Sequence, residues 1–507
     1  IGQTEQEKVS QVLQKFIDGT VYNYPDSITD TFYPGTRMFL YNGSDTAFHM
    51  TSEQYAALYS RRTPGTKNNR QGTITKIDIV GKVAFGELTF DIPSFGNRYY
   101  DLLLLKKIRG TWKIIAKCTD AEPIPRSPDQ LKVIPRKEVI LSGLRKPWSM
   151  IFLSENKALL TEKNGGLLRI DLATATTTAI KGLPADIATD ILIDTSKHRK
   201  GVFPARAHGT RQRYNAGLFQ ILIDPDFDNN QFIYLSYAAE NEQKQSTLKV
   251  VRGRLAGNSL TELKTIFIAA PYTHGLFHYG GGMIFGPDGK LYIATGERNF
   301  FEYLNPPIPT AQDVTDPRGK IIRINPDGSI PDDNPDFGPN AVKGLFATGI
   351  RATQGFSIHP TTGTIWFSEH GTRQGDELNR LIAGANYGWP NRTSGGYRTP
   401  DYVPGEIPGT TYTPPVYFWE KTVAPTGLAF YSGLEFAPWS GDLLVPGLSK
   451  GSLWKMTLTK DQIVGAEELL INDRVRLRKV AISPRGKIYL LTDEENGKLI
   501  RLINENH

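Results

Sequence analysis

One cysteine, Cys118, in 507 residues leaves nothing to pair in an intramolecular disulfide and makes a thiolate metal cluster untenable. No apolar run approaches the roughly 20 residues that a membrane-crossing helix needs. Blocks of one charge are missing too. The net charge of +7 is modest for this length, and the basic stretch RRTPGTKNNR at 61–70 has no aromatic residues interleaved. A solvated loop is the natural reading of that stretch, and nucleic acid is a poor partner. The first residues, IGQTEQEKVS, show neither an initiating Met nor a secretory signal, so the chain is expected to begin at a processed or engineered end. What is plentiful is Gly (49) and Pro (33), with recurrent turn signals that favour β structure over helices. The length predicts two to four domains.

Residues 5–20 read as an amphipathic helix, with Val9, Val12, Leu13, Phe16 and Ile17 on one stripe and Gly19 as its stop. Strand patterns follow at 73–79 and 83–90. The stretches 99–108 and 111–118 form a hairpin turning at Arg109-Gly110. One helical region ahead of a curled sheet is an α+β domain over residues 1–120. FIDG at 16–19 and YYDLLLLKKIRGTWKIIAK at 99–117 resemble the cone-shaped nuclear-transport-factor-like fold in its lumazine-binding branch. That resemblance implies a cone able to hold a small ligand or to serve as a dimerisation module. Residues 121–136, rich in proline, read as a semi-rigid linker.

From residue 137 to 507 one unit recurs: an apolar residue, often a proline, a turn with Gly or Asn, then a short strand. It appears as FLSENKALLTE (152–162), IDPDFDNNQFIYLS (223–236), FGPDGKLYIAT (285–295), IHPTTGTIWFSE (358–369), FAPWSGDLLVP (436–446) and ISPRGKIYLLT (482–492). Six copies of a hairpin that cannot bury both faces alone predict a six-bladed β-propeller, making the chain mostly β. The third copy has the most suggestive surroundings. His278 precedes Gly280, Gly281 and Gly282, a run that lets backbone pass close to something flat or bulky. An imidazole there suits a general base, because its pKa lies near working pH.

The stretches GLFQILIDPDFDNNQFIYLSYA (217–238), HYGGGMIFGPDGKLYIATGE (278–297), GIRATQGFSIHP (349–360) and EHGTRQGDELNRLIAGANYGWP (369–390) resemble the soluble glucose/sorbosone dehydrogenases. The resemblance implies an oxidoreductase that moves hydride from an aldose sugar or similar alcohol to pyrroloquinoline quinone, with calcium and a diffusible electron acceptor. It implies His278 as general base and Arg351 as the stabiliser of charge on the cofactor. Cofactor contacts fall on Glu302, His370, Tyr417, Thr422, Lys450, Arg476 and Arg478, and a substrate contact on Asn215. Calcium would take the carbonyls of Gly371 and Thr372, and a second calcium Glu377 and the Tyr387 carbonyl. A periplasmic or secreted location is implied, with no nucleic acid, no membrane span and a dimer through the N-terminal domain left open. Departures accompany the match. Ala352 stands where relatives carry Asn, Glu302 where they carry Gln, Asn215 where they carry Gln, and Ser449 where they carry a lysine. Those departures leave an alternative, a propeller that has lost the quinone and binds a carbohydrate or other ligand without redox chemistry.

Overall fold

The computed structural model describes residues 3–506 apart from 42–47, 61–62, 69, 93–96, 124–132, 193–208, 213–215, 275–276, 299–307, 398–403, 450, 460 and 472–473. The chain divides into two compact units: Ile1–Ile134 with Ser432–Ser440 and Asn504–His507, and Pro135–Tyr431 with Gly441–Ile503.

In the first unit the helix Glu5–Val21 opens on a capping box, Glu7 N donating to Thr4 Oγ1 and Thr4 N to Glu7 Oε2. Its buried face holds Val9, Leu13, Phe16 and Ile17, while Val12 packs only at the margin. Gly19 does not stop the helix. Ile28 of the next helix, Pro25–Thr31, packs against it, and a Cβ there would lie 2.8 Å from Ile28 Cγ1. The glycine therefore serves close approach, and the helix continues to Val21. A six-stranded sheet curls against these helices in the order Phe48–Thr51, Arg37–Leu40, Thr111–Pro123, Asn97–Ile108, Val83–Ile92, Gln71–Val80. Arg109 (φ 49°) and Gly110 (φ 86°) are both left-handed, the geometry a two-residue hairpin turn requires. Leu13 has no exposed surface, so Leu13→Ala would cost about 2–5 kcal/mol. The proline-rich stretch 121–136 is strand at both ends. Thr111–Pro123 runs into it and Pro135–Leu144 begins within it, with 124–132 outside the described residues.

The second unit contains six four-stranded antiparallel sheets among the described residues. In chain order they begin at Pro147, Leu218, Gly280, Gly355, Ala429 and Leu477. Each recurring sequence unit spans the turn from the first to the second strand of one sheet. In the third, Gly280–Phe285 pairs with Leu291–Thr295 across a turn closed by Gly289 N donating to Gly286 O at 2.9 Å. First strands touch in succession, and the sixth touches the first, so the innermost strands close a ring. The sixth sheet takes its fourth strand, Pro135–Leu144, from the opposite end of the unit's sequence. Second strands such as Leu291–Thr295 and Ile488–Thr492 are buried throughout, as expected of strands covered on both faces.

Candidate active site

The site is built from what lies just outside these hairpins. Antiparallel pairing sets Gly280 opposite Thr295, so two residues further out His278 and Glu297 come together. His278 Nδ1 lies 2.7 Å from Glu297 Oε1, whose side chain is 1 % exposed. A carboxylate accepts, so Nδ1 carries the hydrogen and Nε2 is the basic nitrogen. The backbone is crowded there. His278 sits at φ 52°, and a Cβ on Gly296 would fall 1.7 Å from the His278 carbonyl oxygen. The glycine run behaves as its sequence suggests, with Gly281 against the Phe219 ring and Gly282 against the Gln354 backbone.

The same arrangement recurs. An acid ends or follows the second strand in five of the sheets, and four of these acids, Glu162, Glu297, Glu369 and Asp493, face the entry to the first strand. Each captures the segment entering the first strand of its own sheet. Glu162 accepts from Arg145 N at 2.6 Å. Glu369 accepts from Arg351 N at 2.8 Å, Ala352 N at 2.5 Å and Thr353 Oγ1 at 2.8 Å. Asp493 takes both arginines of the predicted pair, Arg476 at 2.8 Å and Arg478 at 2.9 Å. Burial alone would raise its pKa, but Arg478, Lys163 and Arg476 hold it far below the usual carboxylate range.

These segments surround a cavity of about 280 Å³. Cationic side chains on its wall are Lys163, Arg351, Arg476 and Arg478; Trp148, Phe219, Phe277 and Tyr279 supply ring surface; His278 and His370 also line it. Arg478 also donates to Gln354 Oε1 at 2.5 Å, and the Arg351 guanidinium lies 5.1 Å from the Trp389 ring centre. Burial pushes the Lys163 ammonium down to about 7, with Arg478 adding to the effect. Burial likewise takes His370 down to about 4; its Nε2 donates to the Pro425 carbonyl at 2.7 Å. Asp376 ties two loops together, accepting from Gly371 N, Val423 N and Ala424 N, each at 2.7 Å. A smaller cavity of about 10 Å³ adjoins, lined by Glu369, Gly371, Glu377 and Tyr387 among others. Glu369 is raised to about 7 by burial, with repulsion from Glu377 contributing, and burial raises Glu377 as well.

Of the residues singled out in the sequence, the larger cavity gathers His278, Arg351, His370, Gly371, Thr372, Thr422, Arg476 and Arg478. Glu377 and Tyr387 meet at the smaller one. Tyr417 does not line either cavity: it lies on Tyr417–Trp419, the fourth strand of its sheet, edge-on to Trp419. Asn215, Glu302 and Lys450 lie outside the described residues. Lys163, Glu297, Gln354 and Asp493 were missed. Register would have found two of them, because an acid just past a second strand must face the residues just before the first.

The profile of the family described as "Glucose / Sorbosone dehydrogenase" matches residues 144–501, and that of "Putative lumazine-binding" matches residues 4–119. The chain is 33% identical to Aldose sugar dehydrogenase YliI of Escherichia coli (strain K12), covering 73% of this chain and 93% of the relative. It is 28% identical to Quinoprotein glucose dehydrogenase B of Acinetobacter calcoaceticus, over 70% and 85% of the two. A crystal structure of a glucose dehydrogenase superposes with a TM-score of 0.62 at 32% identity, covering 72% of this chain and 99% of that one. The apo-form of the soluble aldose sugar dehydrogenase from Escherichia coli gives 0.62 at 28%, over 73% and 100%. With its profile matched from the first of the six sheets to the last, the chain belongs to the glucose/sorbosone dehydrogenase family.

Proposed function

We propose that the six sheets are the blades of a six-bladed β-propeller whose cavity binds pyrroloquinoline quinone beside calcium, and that the chain oxidises an aldose sugar or similar alcohol. One observation carries the reading: His278, held by a buried acid, faces the same cavity as four cationic side chains and a wall of rings. That lining suits a flat molecule bearing several carboxylates. The names of the relatives, one a quinoprotein and one an aldose sugar dehydrogenase, agree with it.

When bound, the quinone supplies the acceptor for a hydride. The protein's part is proton handling and charge. His278 Nε2 takes the proton of the sugar hydroxyl, and Glu297 stabilises the imidazolium that results. Arg351, with its main-chain N–H fixed on Glu369, meets negative charge with a donor already in place. Arg476 and Arg478 are oriented by Asp493 and grip carboxylates, with Lys163 as a further cation. Trp148, Phe219 and Phe277 keep water from the reacting atoms.

The donor set also suits calcium. Gly371 and Thr372 line the larger cavity and Gly371, Glu377 and Tyr387 the smaller, residues that can offer hard oxygen donors, and a divalent cation would relieve the repulsion between Glu369 and Glu377. A periplasmic or secreted location accompanies this reading. Titrating the purified chain with the quinone, with and without calcium, and recording its absorption spectrum tests it. A saturable, calcium-dependent spectral change is expected; none at micromolar concentrations would favour a ligand-binding propeller instead.

A further inference from the structure

Glu297 fixes the His278 ring at one atom, but the ring is also carried by its backbone, and the residue after Glu297 holds that backbone. His278 has φ 52° and Arg298 φ 64°, left-handed conformations that residues other than glycine rarely adopt. They persist only where the surroundings over-determine them. Arg298 N donates to the His278 carbonyl at 3.2 Å, a second tie between the two hairpin flanks beside the His278–Glu297 pair. The Arg298 side chain, 2% exposed, runs back along the same segment. Its Nε donates to the Phe277 carbonyl at 3.0 Å, and its guanidinium lies 3.7 Å from the centre of the Tyr279 ring. Its Nη1 donates to the carbonyl of Ser246, where the third strand of the second sheet begins, at 2.8 Å. Ser246 Oγ is in turn 2.7 Å from the Tyr279 hydroxyl. One residue therefore touches Phe277, His278 and Tyr279 in succession and ties them to a neighbouring sheet.

Filling space does not account for an arginine here. Burial pushes its pKa below the ordinary arginine value, so the charged form is disfavoured, and an apolar side chain of similar volume would pack at less cost. What arginine offers is a rigid fork whose donors reach two carbonyls while its flat face takes a ring. Lysine would bring the charge without the fork.

We propose that Arg298 is a positioning residue, holding residues 277–279 so that the His278 imidazole keeps Nδ1–H on Glu297 and presents Nε2 to the cavity. That Nε2 then acts as a base rests on the reading above; the hold on the ring does not. The test uses the full chain, isotopically labelled at the histidine ring nitrogens and free of quinone, in magnetic resonance. The His278 signals are identified by their loss in His278→Ala, and the shifts of its two nitrogens report which one carries the hydrogen. Wild type is expected to show the Nδ1–H tautomer. Arg298→Gln, still melting cooperatively, is expected to mix the two tautomers while His359, beyond the first strand of the fourth sheet, is unmoved. A single Nδ1–H tautomer in both proteins would overturn the proposal, as would shifts spread to His359, which would make Arg298 a general packing residue. With calcium and quinone loaded, Arg298→Gln is expected to lower kcat about tenfold or more, with KM for the aldose and quinone affinity changed by less than about twofold. An equal kcat would overturn the proposal too. If wild type oxidises no aldose, the redox reading fails, and the tautomer comparison alone decides the role of Arg298. Should Arg298→Gln not fold, Arg298→Lys decides: mixed tautomers would support the fork's role, and the wild-type tautomer would contradict it.

Discussion

In the third sheet His278, two places before the first strand, meets Glu297, two places after the second. In the sixth sheet Arg476, one place before, meets Asp493, one place after. The hairpins are alike and both acids are buried, yet the outcomes differ in charge. One carboxylate facing one imidazole makes a pair that can accept a proton. One carboxylate facing two arginines, with Lys163 nearby, leaves positive charge to spare. On the proposed reading, a single choice, which side chain precedes the first strand, divides proton handling from anion binding.

Breaking the first pair should have the largest effect. His278→Ala is expected to lower turnover with a dye acceptor by about 10²–10⁴ while leaving quinone affinity nearly unchanged, read by spectral titration. Glu297→Gln keeps the shape but removes the charge behind the imidazole. Turnover should fall by about 10–100-fold, and the acid limb of its pH profile should move to lower pH, because the imidazolium loses its stabilising partner. An unmoved profile would make Glu297 a packing residue only.

The second pair should answer in binding instead. Arg478→Gln is expected to weaken the quinone by about tenfold or more in the same titration, since a charge-assisted contact is lost. Lys163 gives that wall a pH dependence. Its ammonium is cationic below about 7 and loses its proton above, so quinone affinity should fall as pH rises from 7 towards 9, by at most about tenfold per unit. Lys163→Met should flatten that slope. Smallest is the metal effect on the fold: calcium should raise the melting temperature by a few degrees, and Glu377→Gln should abolish the rise, read by calorimetry.

The hairpins were legible because FGPDGKLYIAT and its kin carry their turn and strand residues side by side, and His278 because it stands beside a glycine run. The helix at the N-terminus was legible from its stripe, but Gly19 misled, since helix packing against Ile28 overrode its propensity. Glu297 and Asp493 were not legible as site residues. They lie 19 and 17 residues from His278 and Arg476, and only strand pairing brings them close. Lys163 was hidden for a similar reason: it reaches the cavity from the first sheet, whereas Arg478, the neighbour that helps depress its pKa, comes from the sixth.

The central claim is that the His278–Glu297 pair takes a sugar's proton over a quinone held by the arginine wall. Mixing the calcium- and quinone-loaded chain with an aldose in a stopped-flow spectrometer tests it most directly. Rapid bleaching of the quinone absorbance is predicted for wild type, with His278→Ala binding the quinone equally well but bleaching at least about 100-fold more slowly. Equal rates in the two proteins, or no bleaching of loaded wild type by any aldose, would contradict the account.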